Sequence, residues 1–220
     1  MIVLAIDAAT SACSAALTDE DRPLAWRLAA MARGQSEALT PMLRDVLDEA
    51  GLGFADLDLL AVTVGPGAFT GLRIGLACAR ALALATGLPL AGVPTPLAVA
   101  AAVPEDEAPG LPLVVAVDSR RDLPWVQMFD AARRPLGPVA ARSAAEIAAL
   151  CPGPLLLAGD GAARLAAGLP AARLSAAPGW PDARQVARLG LATWRDGTAL
   201  PPEPLYLRDA DVTLPAGAAR

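Results

Sequence analysis

Histidine and lysine are both missing from this chain: every one of its 18 basic residues is arginine. Without histidine there is no side chain that titrates unperturbed near neutrality. A Ser-His-Asp or Cys-His arrangement is therefore impossible within the chain, as is a His-ligated zinc site. Without lysine, a glycine-rich phosphate loop lacks the ammonium that reaches the terminal phosphates. Carboxylate-only chemistry remains open. The three cysteines, Cys13, Cys78 and Cys151, are odd in number and far apart. That spacing gives neither a disulfide framework nor a close-spaced metal motif, and suits small hydrophobic packing instead. Aromatic residues make up only 4% of a chain that is 55% hydrophobic, because alanine supplies much of the apolar content. A net charge of −5 argues against gripping nucleic acid alone, since phosphate neutralisation needs a basic face.

The first residues, MIVLAIDAAT, lack a basic leader and carry Asp7, so they do not read as a secretory signal. Residues 81–103 are uncharged, long enough to raise the question of a membrane span. Pro89, Pro94 and Pro96, with Gly87 and Gly92, break that stretch into helix, turn, short strand and helix. The expectation is a soluble cytoplasmic protein with no membrane contact.

What is present alternates strand and helix. IVLAID (2–7) reads as a buried strand ending in an acid, followed by the turn AATSA. CSAALT (13–18) and LAWRLA (24–29) read as strands around a charged hairpin tip at DEDR (19–22). Residues 34–51 form the clearest amphipathic helix, with Leu39, Leu43 and Leu47 among the apolar positions at three- and four-residue steps. Ser36 is its expected N-cap, Gly51 its stop, and Pro41 is tolerable only near the first turn. LDLLAVTV (57–64) reads as a strand and 71–86 as a helix. Residues 90–93 read as a strand and 95–103 as a helix.

The acidic, proline-rich PEDEAPGLP (104–112) is the expected linker, which divides the chain into lobes 1–103 and 104–220. LVVAVDSRR (113–121) then repeats the pattern of apolar strand, acid and turn seen at the start, with strands at WVQMFD (125–130) and near 136–140. Ser143 and Glu146 form a capping box for a helix over 143–151. Strand, turn and helix follow over 153–168, and a last amphipathic helix over 182–197. The Gly159-Asp160-Gly161 turn is read as a plain turn. Tyr206 and Arg208 are expected to dock an extended tail, and the last residues, TLPAGAAR, read as disordered.

Between the strand ending at 64 and the helix from 71 lies GPGAFTGLRIG (65–75). Its glycines and proline allow a sharp turn and close backbone approach. A dinucleotide fingerprint fails here, because Thr70 stands at the third glycine position and no acid follows near Ala91. In the helix, Gly71, Gly75, Ala79 and Ala83 recur every four residues. Such a stripe admits a second helix at close range or packs inside an ordinary core, and the pattern alone leaves both open.

The string GPGAFTGLRIG resembles the signature of the TsaB (YeaZ) family, partners in making threonylcarbamoyladenosine in tRNA. The resemblance extends to IVLAIDAAT, RGQSEALTPMLRDVL, VDSRRDLPWVQMFD and PEPLYLRDADV. It implies an α/β fold of two actin-like (ASKHA, ribonuclease H-like) lobes, each a mixed sheet with flanking helices. It also implies a non-catalytic scaffold for a TsaD-type catalytic subunit. With a TsaE-type ATPase, that complex would transfer threonylcarbamoyl to adenosine of tRNA. The same helices would serve a homodimer.

On this reading Leu39, Leu43, Gly67, Phe69, Thr70, Gly71, Arg73, Gly75, Leu76 and Arg80 bind the partner. No cofactor binds this chain alone, while ATP and a divalent metal are expected in the complex. Asp7, Thr10 and Asp118 mark a vestigial nucleotide site, because the first turn, Asp7-Ala8-Ala9-Thr10, lacks the glycines of actin-like ATPases. Relatives often carry histidine where this chain has Gln35. The alternative is an actin-like ATP-dependent phosphotransferase acting on a small molecule, with Asp7 and Asp118 as metal- or water-orienting carboxylates.

Overall fold

The computed structural model describes residues 1–205 and 207, and it contains two five-stranded sheets built to one plan. In the first, β1 (Ile2–Asp7) lies at the centre. It pairs antiparallel with β2 (Ala12–Asp19), which pairs antiparallel with β3 (Arg22–Ala30). On its other side β1 runs parallel to β4 (Leu59–Gly65), and β4 runs parallel to β5 (Leu90–Pro94).

The second sheet repeats this. β6 (Leu113–Val117) is central, with β7 (Trp125–Phe129) and β8 (Ala140–Ala141) antiparallel on one side. β9 (Leu155–Ala158) and β10 (Ala172–Leu174) run parallel on the other. The pattern of strand, acid and turn shared by 2–10 and 113–121 is thus the trace of two lobes with the same topology. The α/β, actin-like architecture follows the expectation from sequence.

Alternation along β1 decides what packs where, because successive side chains point to opposite faces. Leu4 and Ile6 face a core with α1 (Gln35–Ala50) and α2 (Phe69–Thr86), which supply Leu39, Leu43, Val46, Leu72, Leu76 and Ala79. Val3 and Ala5 face the opposite core, where Ala16, Ala61 and Ala91 make a low, smooth floor for a helix. That helix is α6 (Ala183–Arg195), through Ala183, Val186, Ala187 and Leu191.

This corrects the expected lobe boundary. Residues 104–112 do lead from one lobe to the other, but α6 belongs to the first sheet. The chain after it stays there too: the amide of Gly92 donates to the carbonyl of Leu200, and that of Leu205 to Val64. The first lobe is therefore discontinuous in sequence, and 104–220 is not one body. Between the sheets, α3 (Thr95–Ala102) packs Val99 and Ala100 against Leu113, Val115 and Phe129 of the second lobe. The linker is itself anchored: Glu107 accepts from the Ser175 hydroxyl and the Ala176 amide beyond β10.

Helix ends match the sequence unevenly. Gly51 ends α1 in the left-handed conformation, as a C-terminal glycine does. Ser143 and Glu146 form the reciprocal capping box of α4 (Ala144–Leu150). Ser36 does not cap α1. Gly34 occupies that position in the left-handed conformation, and the Ser36 hydroxyl donates to Glu37. Pro41 sits beyond the first turn, on the exposed side, where water can take the carbonyl that it leaves unbonded. Two elements had no expectation: a 3-10 turn at Phe54–Asp56 and the edge strand β10. Tyr206, Arg208 and the tail TLPAGAAR lie outside the described residues.

Candidate functional site

The β1–β2 turn, Ala8 to Ser11, is where the site is assembled. Asp7 ends β1 with no solvent exposure. Its Oδ1 accepts from the Thr63 hydroxyl on β4 at 2.6 Å and from the Ala9 amide at 3.1 Å. Its Oδ2 has no partner among the described residues. Burial, which disfavours the charged form, raises this carboxyl from 3.8 to about 7, against the lowering effect of those two bonds. From the α1 side, the Gln35 side-chain amide donates to Met31 O at 3.2 Å and to Thr10 O at 3.5 Å. Gln35 thus ties the start of α1 to the turn by bonding backbone carbonyls.

The loop over 65–68 closes the turn from the α2 side. The Ala68 amide donates to Ala9 O at 2.6 Å. A Cβ at Gly67 would stand 2.1 Å from Ala9 O, and one at Gly71 would stand 2.1 Å from Ala8 O. Both glycines are required by contact rather than by an unusual φ. The Gly65-Pro66 peptide is cis.

This geometry does not fit a phosphate–metal cradle. The carbonyls of Ala9, Thr10 and Ser11 and the Ala9 amide are bonded to the chain itself, and Asp7 and Thr10 are buried. Asp118, at the matching position of the second lobe, accepts from Arg164 at 2.9 Å and from the Arg120 amide at 3.0 Å. Asp7, Thr10 and Asp118 hold no cluster suited to a metal, and no group of three or more His, Cys, Asp or Glu suited to one occurs among the described residues. Across the cleft, Ser11 joins the lobes. It donates to Asp160 Oδ2 at 3.2 Å and accepts from Trp180 Nε1 at 3.0 Å, while Asp160 Oδ1 accepts the Asp118 amide at 2.8 Å. Asp160 is thus more than a turn residue, and no motif marked Ser11 or Trp180 in advance.

The expected partner residues divide by direction. Leu39, Leu43, Gly71, Gly75 and Leu76 are buried in their own lobe. The small-residue stripe faces Ala8 and Val62, so it seats α2 on its own sheet rather than on a second helix. Gly67 is taken up by the turn. Phe69, Thr70, Arg73 and Arg80 point outward. Phe69 is 60% exposed, and the Arg73 guanidinium lies 3.4 Å over its ring.

Along the same helix Leu84 is 88% exposed, a residue that periodicity assigned no role. Leu43, Leu47, Leu52, Phe54, Cys78 and Leu82 line an apolar groove of about 470 Å³ between α1 and α2. By length and composition α2 is the one helix among the described residues apolar enough to cross a membrane. Its inner side is nevertheless packed into the core beside α1.

A family model described as TsaD, tRNA N6-adenosine threonylcarbamoyltransferase, matches residues 29–164. The chain is 37% identical over 214 residues to an uncharacterised protein of Mycobacterium tuberculosis, covering 95% of this chain and 92% of that one. It is 42% identical over 95 residues to the tRNA threonylcarbamoyladenosine biosynthesis protein TsaB of Escherichia coli, covering 43% of this chain and 41% of that one. The structure of YeaZ from Pseudomonas aeruginosa superposes with a TM-score of 0.80 at 28% identity, over 94% of this chain and 99% of that one. The chain belongs to the TsaB (YeaZ) family. Its place is accordingly in the synthesis of threonylcarbamoyladenosine in tRNA. Within GPGAFTGLRIG, Gly67, Gly71 and Gly75 face the β1–β2 turn while Phe69 faces out.

Proposed function

We propose that this chain is a non-catalytic subunit that binds a TsaD-type transferase through the outer face of α1 and α2. On this reading it works in the cytoplasm, with a TsaE-type ATPase and with tRNA reached through the complex. The observation that carries it is the outward row of Phe69, Arg73 and Leu84 on α2, a helix that also lines the α1–α2 groove through Cys78 and Leu82. Large exposed apolar side chains on a helix that also lines an apolar groove suit a protein interface. An aromatic with a stacked arginine suits its energetic centre.

The covered β1–β2 turn and the absence of histidine both speak for chemistry carried by another subunit. ATP and a divalent metal then belong to the assembled complex. A homodimer through the same face would compete with the transferase, because one surface serves one occupant at a time.

The test is co-expression with the TsaD-type protein of the same genome, sized by light scattering, beside a Phe69→Ala, Leu84→Arg double variant. A stoichiometric complex that is lost in the variant is the expected result. A variant that binds as tightly as the parent, or a parent that forms no complex with or without nucleotide, overturns the proposal. Gly71→Arg is unsuitable as a probe, since its Cβ alone would strike Ala8 O.

A further inference from the structure

Asp7 stands where a buried carboxyl is expensive: desolvation penalises its charge, and half of its hydrogen-bonding capacity is unused. Neither a metal nor a nucleotide has access to it, because the residue is fully enclosed and the turn beyond it is covered by the 65–68 loop. Two features show what it does hold. Its Oδ1 takes the hydroxyl of Thr63, fixing it to β4, and takes the amide of Ala9, fixing the turn. The carbonyl of that same Ala9 receives the amide of Ala68. Ala68 is the residue immediately before α2, and Phe69 is the first residue of that helix. Two hydrogen bonds through one residue, Ala9, therefore link the buried carboxyl to the residue before Phe69, the exposed aromatic that opens α2. Gln35 holds the next carbonyl of the turn from α1, so both surface helices are referred to this turn.

We propose that Asp7 is a positioning residue for the partner-binding loop: it holds the backbone of Ala9, whose carbonyl seats Ala68, and so fixes where Phe69 and Arg73 stand on the surface. The assignment rests on the interface reading above for its functional meaning, though the seating itself does not depend on any partner. The oxygen is the working atom, not the charge. An asparagine, whose Oδ1 also accepts both bonds, should keep the seat even though its Nδ2 finds no acceptor among the described residues where Oδ2 stood and costs overall stability. An alanine should not.

The test compares Asp7→Asn, Asp7→Ala and Thr63→Val in the full chain by two readouts. The first is hydrogen exchange at the Ala68 amide, and the second is affinity for the TsaD-type subunit. Asp7→Asn is expected to keep Ala68 protection and affinity within about twofold of the parent. Asp7→Ala is expected to exchange Ala68 at least roughly tenfold faster and to bind roughly tenfold more weakly, with Thr63→Val between them. Unchanged Ala68 protection in Asp7→Ala overturns the proposal. If that variant does not fold, parental protection in Thr63→Val overturns it, as does an Asp7→Asn variant that behaves like alanine. The Phe69→Ala, Leu84→Arg variant keeps the two readings apart. If it binds normally the interface reading fails, while the Ala68 exchange result still decides the role of Asp7.

Discussion

Gly71 and Gly75 sit one helical turn apart in α2, yet the structure asks different things of them. A methyl group at Gly71 would meet a backbone carbonyl at 2.1 Å, and neither α2 nor the turn can withdraw without breaking the seat. Gly71→Ala should cost about 1–3 kcal/mol, the usual range for overpacking, read as a lower urea midpoint. At Gly75 the nearest atoms would lie at 3.6 Å or beyond, an ordinary contact. Gly75→Ala should leave stability unchanged or raise it by up to about 1 kcal/mol, through helix propensity.

Asp7 adds a dependence on pH. Its carboxyl titrates at about 7 in the folded chain and near 3.8 when exposed. The folded state thus holds the extra proton between those values, and stability from this group falls as pH rises from about 4 to about 7. Asp7→Asn removes that loss. Its stability relative to the parent should therefore grow between pH 5 and pH 8 in urea titrations, levelling off above about 7. The acid was visible in the sequence as the end of a strand. Its burial was not, because that depends on Thr63 and on a loop nearly sixty residues away.

At the scale of the helix, α2 shows what periodicity can and cannot supply. The four-residue repeat of small side chains correctly announces a close contact. The same spacing fits a sheet or a second helix, and here the contact is with β1, β4 and their turn. The face proposed to bind the partner is the other one, where Phe69, Arg73 and Leu84 point outward. Replacing Phe69 and Leu84 should accordingly cut partner affinity roughly 30-fold or more, within the range of interface hot spots. The urea midpoint of the isolated chain should move little, since both side chains are mostly in water already. Local signals were more faithful. The Ser143–Glu146 box was legible because all its atoms lie within one turn, and Ser143→Ala should cost about 1 kcal/mol. Residues 172–174 gave no signal, since three residues at a sheet edge are too few to establish alternation.

The two-lobe plan was legible at the scale of the molecule because strand, acid and turn recur at 2–10 and 113–121. The assignment of α6 was not. Amphipathicity states that the helix has an apolar neighbour without saying which sheet provides it, and nearness in sequence points to the wrong one. The structure predicts that residues 1–103 alone do not make a folded lobe. Val3, Ala5, Leu59, Ala61 and Val93 would lose the cover of α6, exposing a contiguous apolar sheet face. That fragment should bind a hydrophobic dye and lack a cooperative unfolding transition, while the full chain unfolds cooperatively.

The late return of α6 also sets an order of events during synthesis. The ribosome releases α1, α2 and the signature loop well before the helix that covers the far side of their sheet. A nascent chain can therefore form α1 and α2 but cannot cover the far side of the sheet beneath them until α6 has emerged. A product that stops short of α6 is thereby marked by its own uncovered sheet.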